Sequence, residues 1–342
     1  MIQKQRKNNI KDIAAICQVS TATVSRVLNK SGVVSEKNTD KVLKAIAEND
    51  YSPNQRSTPA NIIGITVEFQ DALSSPYVYN LLQAAEDEAS NAGYDLLILR
   101  NERLRKNEKY LSVYLKSKLV SGIIILLSTM TDTFKQKLAN DRFPHIILSD
   151  RPGGFSNFID DDSYEGTLKA MEHLMKLGHR KIGIICPVSD IYYTANERLR
   201  AYQDALKKHN IDISPELIFD ESHTNFNGVY DYGYRGINAL LKNTAVTAVI
   251  SDCSNGVVDG IMDSGLKIPE NISVVSFEDS FDTTQSKSKL TTVAKDTKEM
   301  GKIAAKNLIS QIENLKTRKI PSRIIIPTRF IVRESTSAVN QR

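Results

Sequence analysis

Between positions 21 and 29 the chain reads Thr21-Ala22-Thr23-Val24-Ser25-Arg26-Val27-Leu28-Asn29. Wound as a helix, this run turns Val24, Val27 and Leu28 to one side and Thr21, Ala22, Thr23, Ser25, Arg26 and Asn29 to the other. The outer face is short, mostly polar and carries one guanidinium. Such a face suits the edges of DNA bases, because arginine bonds guanine bidentately and Ala or a Thr methyl touches the thymine methyl. Ser and Thr hydroxyls also bond phosphates and fix register.

A second set of chemistry-bearing residues lies downstream, each just after a strand-like run or at a helix start. Tyr77 offers a ring that could stack on a ligand, and Asp150-Arg151 offers a carboxylate beside a forked donor. Asp161 falls at the entry to a helix, Arg198 at the start of another, His223 beyond a strand near Ile218, and Glu278-Asp279 beyond Phe277. Carboxylates with arginine and an aromatic face suit a hydroxyl-rich ligand, since carboxylates accept from hydroxyls and Arg donates a planar pair. Blander roles compete: Arg198 pairing with Glu197 or Asp204 on a solvated face, His223 as a loop residue, Asp150 capping local backbone.

The elements that must position these groups are legible in outline. Asn9 with Asp12 can cap a helix whose inner face is Ile10, Ile13, Ala14 and Cys17. Ser20 can cap the helix at 21–29, and Ser35 a third, ending near Asn49, with Val42, Leu43 and Ile46 inward. Helix, tight turn, helix, loop, helix is a helix-turn-helix layout, whose second helix enters the major groove. From Ile62 onward, β-rich runs (62–69, 95–99, 122–127, 145–149, 181–186, 248–251, 272–277) alternate with helical stretches near 77–92, 107–118, 131–140, 163–178, 195–210, 228–243, 254–264 and 296–314. Alternation of this kind predicts parallel sheets covered on both faces. About 280 residues exceed one comfortable core, so two doubly wound α/β lobes with a cleft are expected.

Charge separates the two parts. The chain has 342 residues and a formal net charge of +5. Residues 1–60 hold ten Lys/Arg and five Asp/Glu, and the rest holds 35 of each. All the net charge therefore sits in the small head, as expected of a polyanion-binding module. A solvated charged face and a protein-docking module are the alternatives. Apolar runs such as Ile123–Leu127 fall far short of the ~18 residues of a membrane span, and no apolar segment follows the N-terminal charges. The three cysteines, Cys17, Cys186 and Cys253, are too scattered for a disulfide framework or a Cys-x-x-Cys zinc site, which fits a reducing cytoplasm. No phosphate loop, dinucleotide glycine motif, His-Glu-x-x-His or Gly-x-Ser-x-Gly turn is present, so neither catalysis nor a cofactor is expected.

The head closely resembles that of lactose-repressor-type (LacI/GalR) regulators. Asp12-Ile13-Ala14, the run from Val19 to Asn29, Val34, Val42 and Tyr51-Ser52-Pro53-Asn54 carry the likeness. It extends through Ser75-Pro76-Tyr77, Ala92-Gly93-Tyr94, Asp161-Asp162 with Gly166, Leu177-Gly178-His179-Arg180-Lys181-Ile182, Glu197 to Tyr202, Ile268 to Val275 and Arg333-Glu334-Ser335-Thr336. The resemblance implies that Thr21 and Ala22 discriminate operators, that Thr23, Ser25, Arg26 and Asn29 make shared contacts, and that Tyr77, Asp150, Arg151, Asp161, Arg198, His223 and Glu278 fall on effector positions. It implies periplasmic sugar-binding-protein-like lobes, a small sugar or sugar derivative as effector, and a homodimer on a pseudo-palindromic operator. Glu278 stands where the family usually has Asp, one methylene shorter.

The joint departs from the family. Pro53-Asn54 is followed by Gln55-Arg56-Ser57-Thr58-Pro59-Ala60-Asn61, shorter than usual, with no leucine to wedge a base step and with Pro59 set against a helix. Two readings stand: the hinge helix is lost and the dimer binds without a strong central kink, or Arg56, beside Asn54, enters the minor groove alone. The first is preferred. The expected units are a head at 1–54, a joint at 55–61, a body at 62–334 and a tail at 335–342, without the heptads that make some relatives tetramers. Expected function is an effector-controlled transcription regulator that acts as a repressor; the competing class is a sugar-binding sensor whose head docks to protein or binds DNA without sequence choice.

Overall fold

The computed structural model describes residues 9–29, 31–49, 51, 61–67, 73, 75–126, 131–149, 151, 157–187, 193–221, 228–277, 279, 289–314 and 321–339. The head is three helices: α1 (Ile10–Cys17), α2 (Thr21–Asn29) and α3 (Glu36–Glu48). Its caps are the expected ones. Asn9 accepts from the Lys11 and Asp12 N–H groups while the Asp12 carboxylate accepts from the Asn9 N–H. The Ser20 and Ser35 hydroxyls accept from the Thr23 and Asn38 N–H groups. The turn between α1 and α2 passes through Gln18 in the left-handed region (φ 52°), which closes α1 within one residue. Ile13, Cys17, Val24, Val42 and Ile46 are buried at the centre, and Tyr51 closes the bottom.

The body holds two sheets. Strands β1 (Ile62–Val67), β2 (Asp95–Arg100), β3 (Val120–Leu126), β4 (His145–Leu148), β5 (Phe158–Asp161) and β11 (Arg323–Ile326) form the first, in the order β11-β5-β4-β3-β1-β2, all parallel. Strands β6 (Ile182–Ile185), β7 (Ile218–Phe219), β8 (Ala248–Ser251), β9 (Ser273–Ser276), β10 (Thr291–Ala294) and β12 (Arg329–Ile331) form the second, in the order β12-β10-β9-β8-β6-β7. Only β12 runs antiparallel. The shared order 2-1-3-4-5 is the doubly wound arrangement whose ligands bind beyond the carboxyl ends of the strands. Helices α4 (Pro76–Asn91), α5 (Asn101–Arg105), α6 (Leu111–Ser117), α7 (Asp132–Asn140) and α12 (Thr297–Glu313) cover the first sheet. Helices α8 (Ser163–Lys176), α9 (Tyr193–Lys208), α10 (Val229–Asn243) and α11 (Ser254–Asp263) cover the second.

Four short strands, β5, β10, β11 and β12, do not stand out in the sequence, because each is three or four residues long and carries charged or hydroxyl side chains that break the apolar run. The single helix expected over 107–118 is instead a 3-10 turn at Glu108–Tyr110 followed by α6, and α5 precedes it as a separate short helix. The break falls at Tyr110 (φ −130°, ψ 48°), outside helical geometry. That break turns Lys109 and Tyr110 toward the head. Lys109 Nζ lies 2.6 Å from Asp40 Oδ2 on α3, the Tyr110 hydroxyl donates to the Asp40 carbonyl, and Val113 and Tyr110 join the head's apolar cluster.

The chain crosses between lobes three times, from β5 to α8, from β10 to α12 and from β11 to β12. The crossings are tied together. Asp162 caps α8 by accepting from the Glu165 N–H, its own N–H donates to the Ile326 carbonyl, and the Thr328 hydroxyl donates to its carbonyl. Asp296 caps α12 in the same manner. The stretch from Ser335 to Val339 is bound to the second lobe: Ser335 exchanges backbone and side-chain bonds with Val274 and Thr291, and the Val339 N–H donates to Leu177. Buried His179 bonds Thr247, Ser273 and the Ser337 carbonyl, a structural role.

Helices α4 and α12 cross closely at Gly301, where an added Cβ would fall 2.3 Å from the Leu81 carbonyl oxygen. Backbone cannot yield as a side-chain tip can, so Gly301→Ala should destabilise the first lobe by about 1–3 kcal/mol. Urea unfolding should show this as a lower midpoint; an unchanged midpoint would mean that the two helices slide apart without penalty.

Candidate functional site

At the carboxyl ends of the strands, charged side chains from both lobes meet. The first lobe contributes Ser149, Arg151, Asp160 and Asp161. Ser149 ends β4 with φ 58°, a left-handed backbone that non-glycine residues adopt rarely and that functional sites often hold. Its hydroxyl is bonded to the Tyr77 hydroxyl. Arg151 donates from Nε to Asp160 at 2.8 Å and from Nη2 to the Asp161 carbonyl at 3.0 Å. Its guanidinium also lies 4.9 Å from the centre of the Tyr193 ring, which belongs to α9 of the other lobe.

Asp161 was expected at the entry to a helix. It is instead the last residue of β5, in register with Ile326 of β11, and Asp162 does the capping. That position buries its side chain to 1% exposure. Lys295, on the second crossing, reaches it at 2.9 Å, and Ser163 donates to its other oxygen. The same ammonium lies 5.6 Å from the centre of the Tyr77 ring.

The second lobe contributes Arg198, Asp252 and Phe277. Arg198 is in the second turn of α9, not its start. Its position on the apolar stripe of Ala195, Ala201, Tyr202 and Ala205 points it inward, so only 4% of the side chain is exposed. The solvated pairings are filled by others: Glu197 binds Arg200 at 2.7 Å, and Asp204 accepts from Tyr164. Arg198 donates instead to Asp252 at 2.5 Å and lies 4.1 Å from the centre of the Phe277 ring. Its Nε is buried and has no hydrogen-bond partner among the described residues. Near the mouth, Arg333 binds Asp279 at 2.5 Å. Pro76, Tyr77, Asn80, Phe277, Lys295 and Thr297 help to wall a cavity of about 30 Å³ between the lobes.

Of the expected effector residues, Tyr77, Arg151, Asp161 and Arg198 are thus brought together. Asp150, His223 and Glu278 lie outside the described residues, as do Asn54 and Arg56 of the joint. Sequence reasoning missed Asp160, Tyr193, Asp252, Phe277 and Lys295. The signal for two of them was present: an Asp160-Asp161-Asp162 run in a strand-like context, and a lysine immediately after Ala294.

Electrostatics in the cleft follow from burial. Desolvation, and then the neighbouring Asp161 charge, push the Asp160 carboxyl up to about 6, against the pull of Arg151 and Lys295. Burial also opposes the Asp161 charge, but Lys295, Arg198 and the Ser163 hydroxyl outweigh it and hold that carboxyl below its usual range. Burial opposes the Arg198 charge too, and Asp252 and Asp161 overcome it, keeping the guanidinium protonated. Among the described residues no group of three or more His, Cys, Asp and Glu side chains could hold a metal, and no helix is long and apolar enough to cross a membrane.

In the head, Thr21, Ala22, Arg26 and Asn29 are exposed, with Thr23 and Ser25 half-buried beside them. Thr23 is hydrogen-bonded to Ser20, and Asn29 donates to the Ser25 hydroxyl.

A helix-turn-helix head joined to a two-lobed α/β binding body defines an effector-responsive DNA-binding regulator. Residues 9–54 match the bacterial regulatory proteins of the lacI family, and residues 171–336 match the periplasmic binding protein-like domain. The HTH-type transcriptional repressor PurR of Glaesserella parasuis serovar 5 (strain SH0165) is 30% identical over 350 residues, covering 97% of this chain and 99% of its own. PurR of Haemophilus influenzae (strain PittEE) is 28% identical over 344 residues, covering 96% and 99%. The solved complex of the transcriptional regulator CelR with cellobiose superposes with a TM-score of 0.71 at 26% identity, covering 96% of this chain and 99% of that one. The chain belongs to the LacI family of transcriptional regulators.

Asp160 keeps its proton in the folded chain where an unfolded aspartate, near 3.8, has lost it. The associated stabilisation is full below about pH 4 and is lost as pH rises through about 6. Asp160→Asn stays neutral throughout. Its Tm should therefore gain on the parent's as pH is raised from about 4 to about 7, read by thermal unfolding in a pH series. A Tm difference independent of pH would show that Asp160 titrates as an ordinary aspartate.

Proposed function

We propose that the chain is a cytoplasmic homodimeric repressor that binds a pseudo-palindromic operator and is controlled by a small sugar-like effector held between its lobes. The observation that carries the effector reading is Arg198: buried at the strand ends, stacked on Phe277, paired with Asp252 and presenting an unpartnered Nε–H. A ligand hydroxyl can accept from that donor while others donate to Asp252 and the first-lobe carboxylates. Cellobiose in the CelR complex supports a carbohydrate in this place. Tyr77 and Arg151 complete the first-lobe wall, Tyr77 by its ring and Arg151 by spanning to Tyr193. No residue is assigned a catalytic role, and no cofactor is invoked.

Thr21 and Ala22 are the operator-discriminating positions in this reading, and Thr23, Ser25, Arg26 and Asn29 make the shared base and phosphate contacts. Two-fold symmetry places one head on each half-site. The dimer face is assigned to α10 and α11, where Val229 is 63% exposed and Tyr230 and Met262 stand out beside it. Tyr230 and Tyr234 stack there and donate to Asp259 and Asp263.

The test is selection from a random duplex library, with and without a panel of sugars and sugar phosphates. An enriched palindrome that one sugar abolishes is the expected result; sugar binding with no enrichment would put the sensor reading in its place. Arg26→Ala should weaken the enriched duplex by about 1–3 kcal/mol while sugar binding is retained. Arg198→Ala should weaken sugar binding and leave duplex binding of the sugar-free protein intact. Equal loss of both activities in either variant would contradict separate modules.

Tyr230→Asp with Tyr234→Asp should shift the protein from dimer to monomer in light scattering. Retention of the dimer would move the interface elsewhere.

A further inference from the structure

A cavity of about 480 Å³ lies between the head and the first lobe. Arg26 of α2 faces Lys106, Lys109, Tyr110 and Tyr114 across it. Among the described residues the contact includes an apolar seam and one charged bridge. Val113, only 4% exposed, and Tyr110 touch the head's apolar cluster, and Asp40 bridges to Lys109 and Tyr110. The surrounding charges oppose it. The segment from Arg100 to Lys109 carries Arg100, Arg103, Arg105, Lys106 and Lys109 against Glu102 and Glu108, and it faces a head that is itself basic.

A recognition helix that reads bases lies in a groove about 12 Å wide and 8.5 Å deep, with duplex on both sides of it. Arg26 cannot be surrounded by those walls while lobe side chains stand across from it. We infer that the face built by Lys109, Tyr110 and Val113 is a docking site for the protein's own head, and that the docked head is a parked state in competition with DNA. This rests on the reading of Arg26 as a duplex contact. The design is a weak latch: an exposed ion pair contributes little in water, and the opposed positive charges keep the parked state easy to leave. Duplex phosphates, meeting the same basic head, displace it. The break in helical geometry at Tyr110, which has no other evident use, is what presents the latch to the head.

The latch is testable in the full chain. The native cysteines, Cys17, Cys186 and Cys253, are all buried, so a short bismaleimide should react selectively with a pair introduced by Asp40→Cys and Lys109→Cys. The expected product is an intramolecular cross-link that migrates as a monomer on a denaturing gel. The linked protein should lose binding to a fluorescent mixed-sequence duplex at low salt, where phosphate attraction alone suffices for the unlinked double variant to bind. Lys109→Ala, which leaves the head untouched, should tighten duplex binding by up to about fivefold. Failure to link, a link only between protomers, or undiminished duplex binding by the linked protein would each overturn the parked state. Efficient linking with no duplex binding by the unlinked protein would instead overturn the reading of Arg26, and with it the competition.

Discussion

Two adjacent carboxylates buried at the end of one strand are the constraint around which the cleft is arranged. Asp160 and Asp161 leave the β5 end pointing to opposite sides, as successive strand residues must. Uncompensated, such a pair would cost several kcal/mol of desolvation. The chain compensates with cations delivered from three places: Arg151 from the loop after β4, Lys295 from the second crossing, and Arg198 nearby on α9. Lys295 belongs to one crossing segment and Asp161 to another, so the same ion pair that satisfies the charge also ties two of the crossings together. Arg151 adds a contact to Tyr193 across the gap. A ligand entering here must bargain with a network whose members report on lobe geometry, which is how a small molecule acquires a differential affinity for two lobe arrangements.

The head and the body use different means of holding shape. The head is small, apolar inside and capped by side-chain hydrogen bonds, and its chemistry is on its surface. The body invests in parallel sheets whose strand ends carry buried charge. Coupling between them requires a contact that differs between states, and the joint expected to supply one lacks the usual leucine. The meeting of α3 with the Lys109–Val113 segment is a second place where the two parts touch, and it involves the 3-10 turn and the start of α6 rather than the joint itself.

Much of this was legible from residue order. Caps at Asn9, Ser20 and Ser35 follow from side chains that satisfy exposed helix N–H groups, and the outward set on α2 follows from helical spacing alone. The alternation of runs gave the doubly wound lobes. The cleft was legible only in part, because pairing is a property of three dimensions. Arg198 looked available to Glu197 and Asp204, its neighbours in sequence, while its partner Asp252 is 54 residues away. Asp252 lies just beyond β8 in a segment, Ser251-Asp252-Cys253-Ser254, with no local pattern that marks it as a partner. Asp161 looked like a residue at the entry to a helix because Asp162, the true cap, is the next residue in an acidic run. Lys295 stands immediately after Ala294, but its partner is fixed only once β10, four residues long, lies beside β9.

The triple crossing has a consequence for how the chain is made. Neither lobe is a continuous stretch of sequence. Most of the second lobe, from α8 to β10, is contiguous, whereas the first lobe waits for α12 and β11. On a ribosome the N-terminal strands β1 to β5 therefore emerge with one face of their sheet covered by α4 alone, without α12 beside it, and with β5 as an open edge. They stay so until residues near Ile326 have been synthesised. Vectorial synthesis normally favours the N-terminal unit folding first; in this topology the α8-to-β10 part of the second lobe is made before the first lobe receives α12 and β11, and the second lobe in turn closes only when β12 and the stretch to Val339 follow.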